Sequence, residues 1–196
     1  MAPVVRAPEV VATSKVFPRF VTALVQQRAH ALLDLGPVVG ANISFFGERL
    51  VGKIYVEDLV ADVERHARRG ERDHLPGFLA TRLTEAEGSI DGILCWDLFD
   101  FLERPAGQVL AARLVRLLRK GGALYGFFGT TAVELASYSR FCVEGDDRLR
   151  VRRFPATPVR REVLLTRDII KLFDGLIVTE SVLLKSSTRE ALFRKP

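Results

Sequence analysis

Apolar and polar residues alternate along most of this chain with two different periods, one typical of helices and the other of strands. Between Phe17 and Val25, apolar side chains recur every third or fourth residue, which predicts an amphipathic helix. The next apolar run, residues 31–33, ends in Asp34-Leu35-Gly36, which is typical of a buried strand that stops at a glycine turn. The alternation continues, with helices predicted at residues 40–50, 58–69 and 105–120 and strands at residues 53–56, 90–96 and 123–128.

Strand and helix follow each other at short spacing, so we expect the first 130 or so residues to form a parallel sheet covered by helices on both faces. The segment 71–88 is poorly patterned, and only a weak strand is predicted there, around residues 78–83. Residues 1–13, rich in Ala, Val and Pro, are expected to form a flexible N-terminal arm. Residues 14–196 are then expected to form a single domain, because this length suits one compact unit.

The pattern changes after Gly129. Two segments, residues 140–143 and 149–154, flank Glu144-Gly145-Asp146-Asp147, which predicts a β-hairpin. A hairpin at the end of a parallel sheet implies that an antiparallel strand joins that sheet. The remaining elements predicted are a short helix at residues 166–173 and strands at residues 176–184 and 189–194.

The net charge of +5 comes entirely from the C-terminal part of the chain. Residues 1–139 carry 16 basic and 16 acidic side chains, whereas residues 140–196 carry 13 basic and 8 acidic ones. Arg148, Arg150 and Arg152 alternate along one predicted strand, so they share a face that could bind an anionic partner such as nucleic acid. The alternative is a solvated outer face of the hairpin, where aromatic side chains for base stacking are sparse.

Cysteine use and the N-terminal sequence favour a reduced, cytoplasmic protein. Cys95 and Cys142 both lie in apolar segments, as buried free thiols do. The first 12 residues lack the apolar core of a secretory signal. The charge-free stretch from Gly121 to Val133 is far shorter than the roughly 20 apolar residues of a membrane span. No membrane contact is therefore expected.

The glycine turn after the first predicted strand of the sheet carries the most informative residues. Asp34 ends that strand, Gly36 and Gly40 turn the chain, and a helix follows, at the edge where open α/β sheets bind ligands. Glu57 ends the next strand, 23 residues after Asp34, and a carboxylate there can accept both hydroxyls of a ribose. Two alternatives stay open: Asp34 caps its own turn, and Glu57 and Asp58 serve the N-terminus of a helix.

These residues resemble the first motif of the class I S-adenosylmethionine-dependent methyltransferases. Asp34, Gly36 and Gly40 match the acid and the first and third glycines of the family's loop, and Glu57 falls where its ribose-binding acid stands. Further similarity follows in order at residues 89–97, 116–124 and 189–195. The resemblance implies S-adenosylmethionine as cofactor and a Rossmann-like, mostly parallel seven-stranded sheet with an antiparallel last strand. The cofactor contacts that it implies are Asp34, Gly36, Pro37, Gly40, Glu57, Asp58, Trp96 and Asp97.

Two positions depart from the family's pattern. Val38 replaces the middle glycine, and Thr81-Arg82 occupies the place of an acid expected after the third strand. Trp96 suits either a core position or a stacking platform, and Asp97 and Asp100 either face a substrate or begin a solvated helix. The function expected is in-line methyl transfer to an unidentified acceptor. The alternative is a catalytically degenerate relative that acts as a binding or scaffold subunit.

Other chemistries lack their motifs. His30, His66 and His74 are scattered, with no Cys or carboxylate at metal-ligand spacing, so no metal is expected. The chain has neither Gly-x-Ser-x-Gly nor a Walker-type lysine loop, which argues against hydrolase and P-loop chemistry. The first strand is also not followed by the Gly-x-Gly-x-x-Gly of dinucleotide-binding dehydrogenases. No catalytic residue is assigned, and Asp97 is the modest candidate for a general base.

Overall fold

A computed structural model describes residues 9–196. Its strands are β1 (Glu9–Thr13), β2 (Ala31–Asp34), β3 (Lys53–Val56), β4 (Ile90–Trp96), β5 (Leu118–Gly129), β6 (Glu134–Val143), β7 (Arg148–Arg160), β8 (Ile177–Leu183) and β9 (Thr188–Arg194). Its α-helices are α1 (Phe17–Gln26), α2 (Gly40–Gly47), α3 (Leu59–Arg69), α4 (Leu75–Arg82), α5 (Arg104–Leu117) and α6 (Thr166–Leu172). Short 3₁₀ helices lie at Arg72–His74 and Leu98–Phe101.

Within residues 9–196, six strands form the main sheet, in the order β3-β2-β4-β5-β9-β8. β2 pairs in parallel with β3 and β4, and β4 pairs in parallel with β5. β9 is antiparallel to both of its neighbours. The expected α/β fold, with a mostly parallel sheet and an antiparallel last strand, is confirmed. The expected count of seven strands is wrong for residues 9–196, because no strand forms at residues 78–83.

Helix α4 forms where the sequence indicated a weak strand, because a short apolar segment suits either structure. Leu75 and Leu79 are both buried, and their spacing of four residues places them on one helical face. Pro76 lies in the first turn of this helix, where the missing N–H of proline costs no hydrogen bond. Helix α4 packs against α5, and β3 is left as the edge strand of the main sheet.

The predicted hairpin is present as β6 and β7, but it does not join the main sheet. It forms a separate sheet of order β1-β7-β6, in which Glu9 lies opposite Arg152. Residues 9–13 of the expected N-terminal arm supply β1, and residues 1–8 lie outside the described residues. The antiparallel strand of the main sheet is contributed instead by β9, which pairs with β8.

Helices cover both faces of the main sheet, as the sequence predicts. On one face, α1 and α2 pack over an aromatic cluster that includes Phe17, Phe20, Phe46 and Tyr125. On the other face, α3, α4, α5 and α6 enclose a mainly aliphatic cluster. Phe141 of β6 belongs to the aromatic cluster, so the small sheet is packed against the main body. Within residues 9–196, no helix is both long and apolar enough to cross a membrane.

Candidate functional site

The carboxyl ends of three parallel strands bring expected site residues to one edge of the main sheet. Asp34 is the last residue of β2, Glu57 follows β3, and Trp96 is the last residue of β4. The register places Asp34 opposite Val56 on one side and Leu94 on the other. The backbone N–H of Glu57 donates to the carbonyl of Asp34 at 2.8 Å. Residues grouped only by motif in the sequence are therefore neighbours in space.

Asp34 holds the glycine turn that leads into α2. Its Oδ1 accepts a hydrogen bond from the backbone N–H of Gly36 at 2.9 Å and another from the indole Nε1 of Trp96 at 2.7 Å. A Cβ on Gly36 would lie 2.7 Å from Cδ1 of Trp96, so a glycine is required beside the indole. Gly40, at the start of α2, has no heavy atom within 4 Å of its Cβ position, and Val38 is exposed.

Burial changes the acid–base behaviour of Asp34. The residue is 3% exposed, and the loss of hydration raises the pKa of its carboxyl to about 6. Hydrogen bonds from Gly36, Trp96 and Asn42 act in the opposite direction, and the charge of Asp58 raises the pKa further. Asp34 thus caps its own turn, which is one of the two alternatives. It also lies at the carboxyl edge of the sheet, and its contact with a cofactor stays a prediction.

Trp96 fills the space above the glycine turn. Its backbone φ of 49° is in the left-handed region, which a bulky residue rarely adopts. Its ring stacks on Phe141 of β6, with centroids 4.9 Å apart and planes inclined by 6°, and it also lies 6.3 Å from the ring of Phe17. In this conformation Trp96 is a core residue, not a platform open to a ligand.

Asn42 of α2 ties the small sheet to the glycine turn. Its Nδ2 donates to the carbonyl of Phe141 at 3.0 Å, and its Oδ1 accepts from the backbone N–H of Val143 at 2.8 Å. The side chain is buried, so both bonds are shielded from water. They hold Phe141 over Trp96, and the sequence contains no local signal for this bridge because its partners lie about 100 positions away.

Glu57 is paired with a basic side chain. Arg82 donates through Nη1 to Oε2 of Glu57 at 2.6 Å and through Nε to Oδ2 of Asp62 at 2.8 Å. Arg82 stands at the place where the family resemblance leads one to expect an acid, so this departure introduces a cation that neutralises two carboxylates. The side chain of Glu57 is still 24% exposed, which leaves it accessible to a ligand.

Pro37 and Asp58 lie beside the turn but have structural roles in this conformation. Asp58 caps α3, because its carboxylate accepts the backbone N–H of Ala61 at 3.0 Å. Pro37 is buried, and together with Asp58 it borders a groove of about 440 Å³ whose wall also includes Arg140. A direct contact of Pro37 or Asp58 with a cofactor stays a prediction.

Asp97 faces a second space, which we call the hairpin cavity. This cavity of about 480 Å³ lies between the small sheet and the carboxyl edge of the main sheet. Phe141 forms part of its wall and also stacks on Trp96, so aromatic rings separate the hairpin cavity from the glycine turn. Its charged and hydroxyl-bearing wall residues are Thr13, Ser14, Asp97, Asp100, Thr131, Ser139, Arg153, Arg161, Ser186, Thr188 and Glu190.

Two carboxylates of the hairpin cavity are engaged within the protein. Asp100 accepts the backbone N–H of Gly129 at 2.8 Å and pairs with Arg161 at 2.8 Å. Glu190 is fully buried, and its Oε1 accepts hydrogen bonds from the hydroxyls of Ser14 and Tyr125. Its Oε2 is buried without a hydrogen-bond partner among residues 9–196. Within the same residues, no group of three or more His, Cys, Asp or Glu is arranged to hold a metal ion.

Asp97 titrates near neutral pH. Burial raises the pKa of its carboxyl to about 7, and the charge of Asp100 acts in the same direction. A hydrogen bond from Ser139 and the positive charge of Arg153 partly offset this effect. A carboxyl that titrates near pH 7 can exchange protons with a bound ligand.

The sequence pointed to Asp97 and Asp100 but missed the other members of the hairpin cavity. Ser139 and Arg153 come from β6 and β7, and Glu190 comes from β9, so no local motif unites them. Glu190 carried the one usable signal, since it is an acid that directly precedes the apolar residues 191–193 of a predicted strand.

The arginine face of the hairpin is partly neutralised by acids on its own sheet. Arg150 pairs with Glu9 at 3.4 Å and also with Glu144, and Arg152 pairs with Glu9 at 2.5 Å. Arg148 is exposed. An anionic partner at Arg148, Arg150 and Arg152 stays a prediction, and two of these three guanidinium groups would have to exchange an existing partner for it.

Comparison with known proteins identifies the fold. No protein-family model and no curated protein sequence matches the chain. A 1,6-didemethyltoxoflavin-N1-methyltransferase from Burkholderia thailandensis, solved with bound 1,6-didemethyltoxoflavin and S-adenosylhomocysteine, is similar with a TM-score of 0.50 and 16% identity, over 92% of this chain and 79% of that one. An S-adenosylmethionine-dependent methyltransferase from Mesorhizobium loti is similar with a TM-score of 0.52 and 10% identity, over 86% of this chain and 91% of that one. The protein has the fold of the class I methyltransferases.

Proposed function

We propose that this protein is an S-adenosylmethionine-dependent methyltransferase that binds its cofactor at the carboxyl edge of β2 and β3. The observation that carries the proposal is the placement of two acids, Asp34 and Glu57, at the ends of adjacent parallel strands, on either side of the turn from Gly36 to Gly40. In open α/β sheets, ligands bind at this edge. The likeness of the fold to that of methyltransferases supports the same assignment.

The residues at this edge suit the cofactor, provided that the indole of Trp96 leaves its place over Gly36. Glu57 is partly exposed and can accept the ribose hydroxyls, and the open space at Gly40 allows close approach to the backbone. The left-handed backbone of Trp96 stores strain, typically of order 1–3 kcal/mol. Relaxation of that strain would offset part of the free energy needed to break the hydrogen bond between Trp96 and Asp34. A state in which the indole has left Gly36 is therefore low enough in free energy to be populated when the cofactor binds.

The chain's own contribution is to orient the reactants and to exclude water. When bound, S-adenosylmethionine supplies a methyl group to the lone pair of an acceptor, as the carbon–sulfur bond breaks and its electrons stay on sulfur. Asp34 holds the glycine turn through the N–H of Gly36, Glu57 holds the ribose, and Phe141 covers the edge of the sheet. Holding acceptor and methyl group in line is catalysis by proximity and orientation, which can lower an activation barrier by several kcal/mol.

The single tryptophan of the chain makes cofactor binding directly observable. Because Trp96 is 3% exposed, its displacement by S-adenosylmethionine or S-adenosylhomocysteine is expected to shift its fluorescence emission to longer wavelength. Calorimetry on the same samples gives the affinity, which we expect to be micromolar and to weaken at least about tenfold in Glu57→Gln, the loss of roughly one charge-assisted hydrogen bond. Glu87→Gln is the matched control, since Glu87 is an exposed acid that also pairs with arginines.

The alternative function, a binding or scaffold subunit without catalysis, is favoured by one observation. The indole of Trp96 occupies the place above Gly36, as a permanent core residue would. Neither ligand would then bind to folded wild-type protein or to a folded Trp96→Ala variant, in which the obstruction is gone. Binding to the Trp96→Ala variant alone would indicate a cofactor site that Trp96 blocks permanently in the wild type. That result would refute the enzyme assignment, because the wild type could not then bind the cofactor.

A further inference from the structure

The hairpin cavity is placed to receive the molecule that accepts the methyl group. Its wall includes Phe141 and Asp97, and Phe141 is stacked on Trp96, whose movement the proposed function requires. Movement of Trp96 together with Phe141 would therefore join the hairpin cavity to the glycine turn. The volume of about 480 Å³ is within the range of about 300–1,000 Å³ that is usual for small-molecule sites.

The charges of the hairpin cavity do not cancel. Asp100 and Arg161 form a buried pair at 2.8 Å and neutralise each other. The charged wall residues that remain are the acids Asp97 and Glu190 and the base Arg153. The wall therefore carries an excess of negative charge whenever Asp97 is ionised.

Glu190 is the strongest indication of what the cavity binds. It is fully buried on β9, and both of its hydrogen-bond donors, Ser14 and Tyr125, are uncharged hydroxyl groups. Its second oxygen has no partner among residues 9–196. Burying an unpaired polar atom typically costs about 1–3 kcal/mol, and more for a charged group. A charge shielded from water in this way also acts strongly on its surroundings, so an occupant that brings a positive charge or an N–H donor is favoured.

The rest of the wall is apolar. Phe127, Phe141, Leu149 and Val151 all line the hairpin cavity, and they come from β5, β6 and β7. Such a surface suits a hydrocarbon or aromatic body. The combination of this apolar surface with more acids than bases differs from that of a phosphate site, where basic side chains would predominate.

We propose that the hairpin cavity binds a small apolar or aromatic amine, whose nitrogen is drawn by the carboxylates of Glu190 and Asp97 and is the methyl acceptor. This inference rests on the proposed function for the transfer itself, whereas the recognition of an amine does not. Asp97 accepts one proton from the bound ammonium group, because its carboxyl titrates near neutral pH and can therefore accept a proton under working conditions. The nitrogen lone pair freed in this way forms the bond to the methyl carbon as the carbon–sulfur bond breaks with its electrons on sulfur, and the product is a protonated N-methylamine.

Three probes with one body and different head groups test this proposal: 2-phenylethylamine, 2-phenylethanol and phenylacetate. Saturation-transfer NMR and calorimetry on the full chain, without cofactor, measure their binding. We expect the amine to bind at least about tenfold more tightly than the alcohol, the difference of one charge-assisted interaction, and phenylacetate to bind most weakly. Equal binding of amine and alcohol, or tightest binding of phenylacetate, would overturn the proposal.

Two variants test whether the preference for the amine arises in the hairpin cavity. Glu190→Gln keeps the shape of the side chain and an oxygen for Ser14 and Tyr125, and it is expected to abolish the preference for the amine. Asp97→Asn is expected to reduce the preference and serves if Glu190→Gln does not fold. Glu180→Gln, an exposed acid on β8, is the control. A preference that survives in both folded cavity variants would place the amine elsewhere and refute the assignment.

The outcomes separate this inference from the proposed function. Cofactor binding is measured through Trp96 and amine recognition through the NMR probes, so either can fail alone. When both ligands bind, mass spectrometry of 2-phenylethylamine incubated with S-adenosylmethionine is expected to show addition of one methyl group, with loss of the product in Asp97→Asn. Cofactor binding without any preference for the amine would retain the methyltransferase and reject the amine as its acceptor.

Discussion

Replacement of Asp34 by asparagine tests whether the ionised carboxylate at the glycine turn lowers the free energy of unfolding. The pKa of Asp34 rises from its ordinary value of 3.8 to about 6 in the folded protein. As the pH rises through that interval, the unfolded chain loses the proton first, so the folded state binds more protons and stability falls. Above about pH 6 the resulting decrease in the free energy of unfolding is constant, at about 3 kcal/mol for a difference of about two pKa units. A neutral asparagine side chain at this position would carry no such penalty.

The measurement compares urea unfolding of the wild type and Asp34→Asn at pH 5 and pH 8. The hydrogen bonds from Gly36 and Trp96 to Asp34 both end on Oδ1, an atom that asparagine retains, so the variant is expected to fold. Its stability relative to the wild type should increase by about 1.4 kcal/mol between these two pH values, from the linkage of the two pKa values. Other titrating groups, including Asp97, contribute to both proteins and cancel. Asp73→Asn, at an exposed acid, should show no change.

A difference between Asp34→Asn and the wild type that is independent of pH would refute the reasoning. It would mean that Asp34 is hydrated, so that the closed arrangement of Asp34, Gly36 and Trp96 is not the state that the protein adopts in solution.

Two further substitutions test how the carboxyl edge is closed. Gly36→Ala places a Cβ 2.7 Å from Trp96 Cδ1, so it is expected to destabilise the fold by about 1–3 kcal/mol and to shift tryptophan emission to longer wavelength. Gly40→Ala is the control, because the space around its Cβ is open, and it should do neither. Unchanged emission in Gly36→Ala would contradict the closed turn. Asn42→Ala removes both hydrogen bonds to β6 and leaves buried backbone groups unpaired, so the free energy of unfolding measured in urea should fall by about 2–4 kcal/mol and the backbone N–H of Val143 should exchange faster with solvent. Ser44→Ala, on the exposed side of α2, is the control and should have no effect. Unaltered exchange at Val143 would show that the small sheet is held by other contacts.

The elements around the glycine turn could be predicted because their signals are local. The apolar run before Asp34, the glycines after it and the periodic apolar residues of α1 and α5 all lie within short windows, where side-chain pattern determines structure. Helix α4 was wrongly predicted as a strand because its apolar residues are too few to define a period. The separate sheet could not be foreseen, because β1 pairs with β7 across about 140 positions, from Glu9 to Arg152.

The candidate site was predicted in its position but not in its present state. Strand ends and acids placed Asp34 and Glu57 correctly at one edge of the sheet. The closure of that edge depends on the left-handed backbone of Trp96 and on Arg82, which reaches Glu57 from a different helix. Neither follows from the sequence, because each results from tertiary packing. The hairpin cavity has the same origin, since its acids come from β9 and from the segment between β4 and α5.

Under the proposed function, the stack of Trp96 on Phe141 makes thermal stability and cofactor affinity oppose each other. The same rings that complete the aromatic cluster stand where the proposed cofactor would lie, so each contact that holds the indole in place also has to be broken on binding. Variants selected for a higher melting temperature around these rings should therefore bind S-adenosylmethionine more weakly. Selection for tighter binding should, conversely, favour smaller side chains at position 96 and chains that unfold more readily, a trade-off of the kind that a strained or obstructed site imposes.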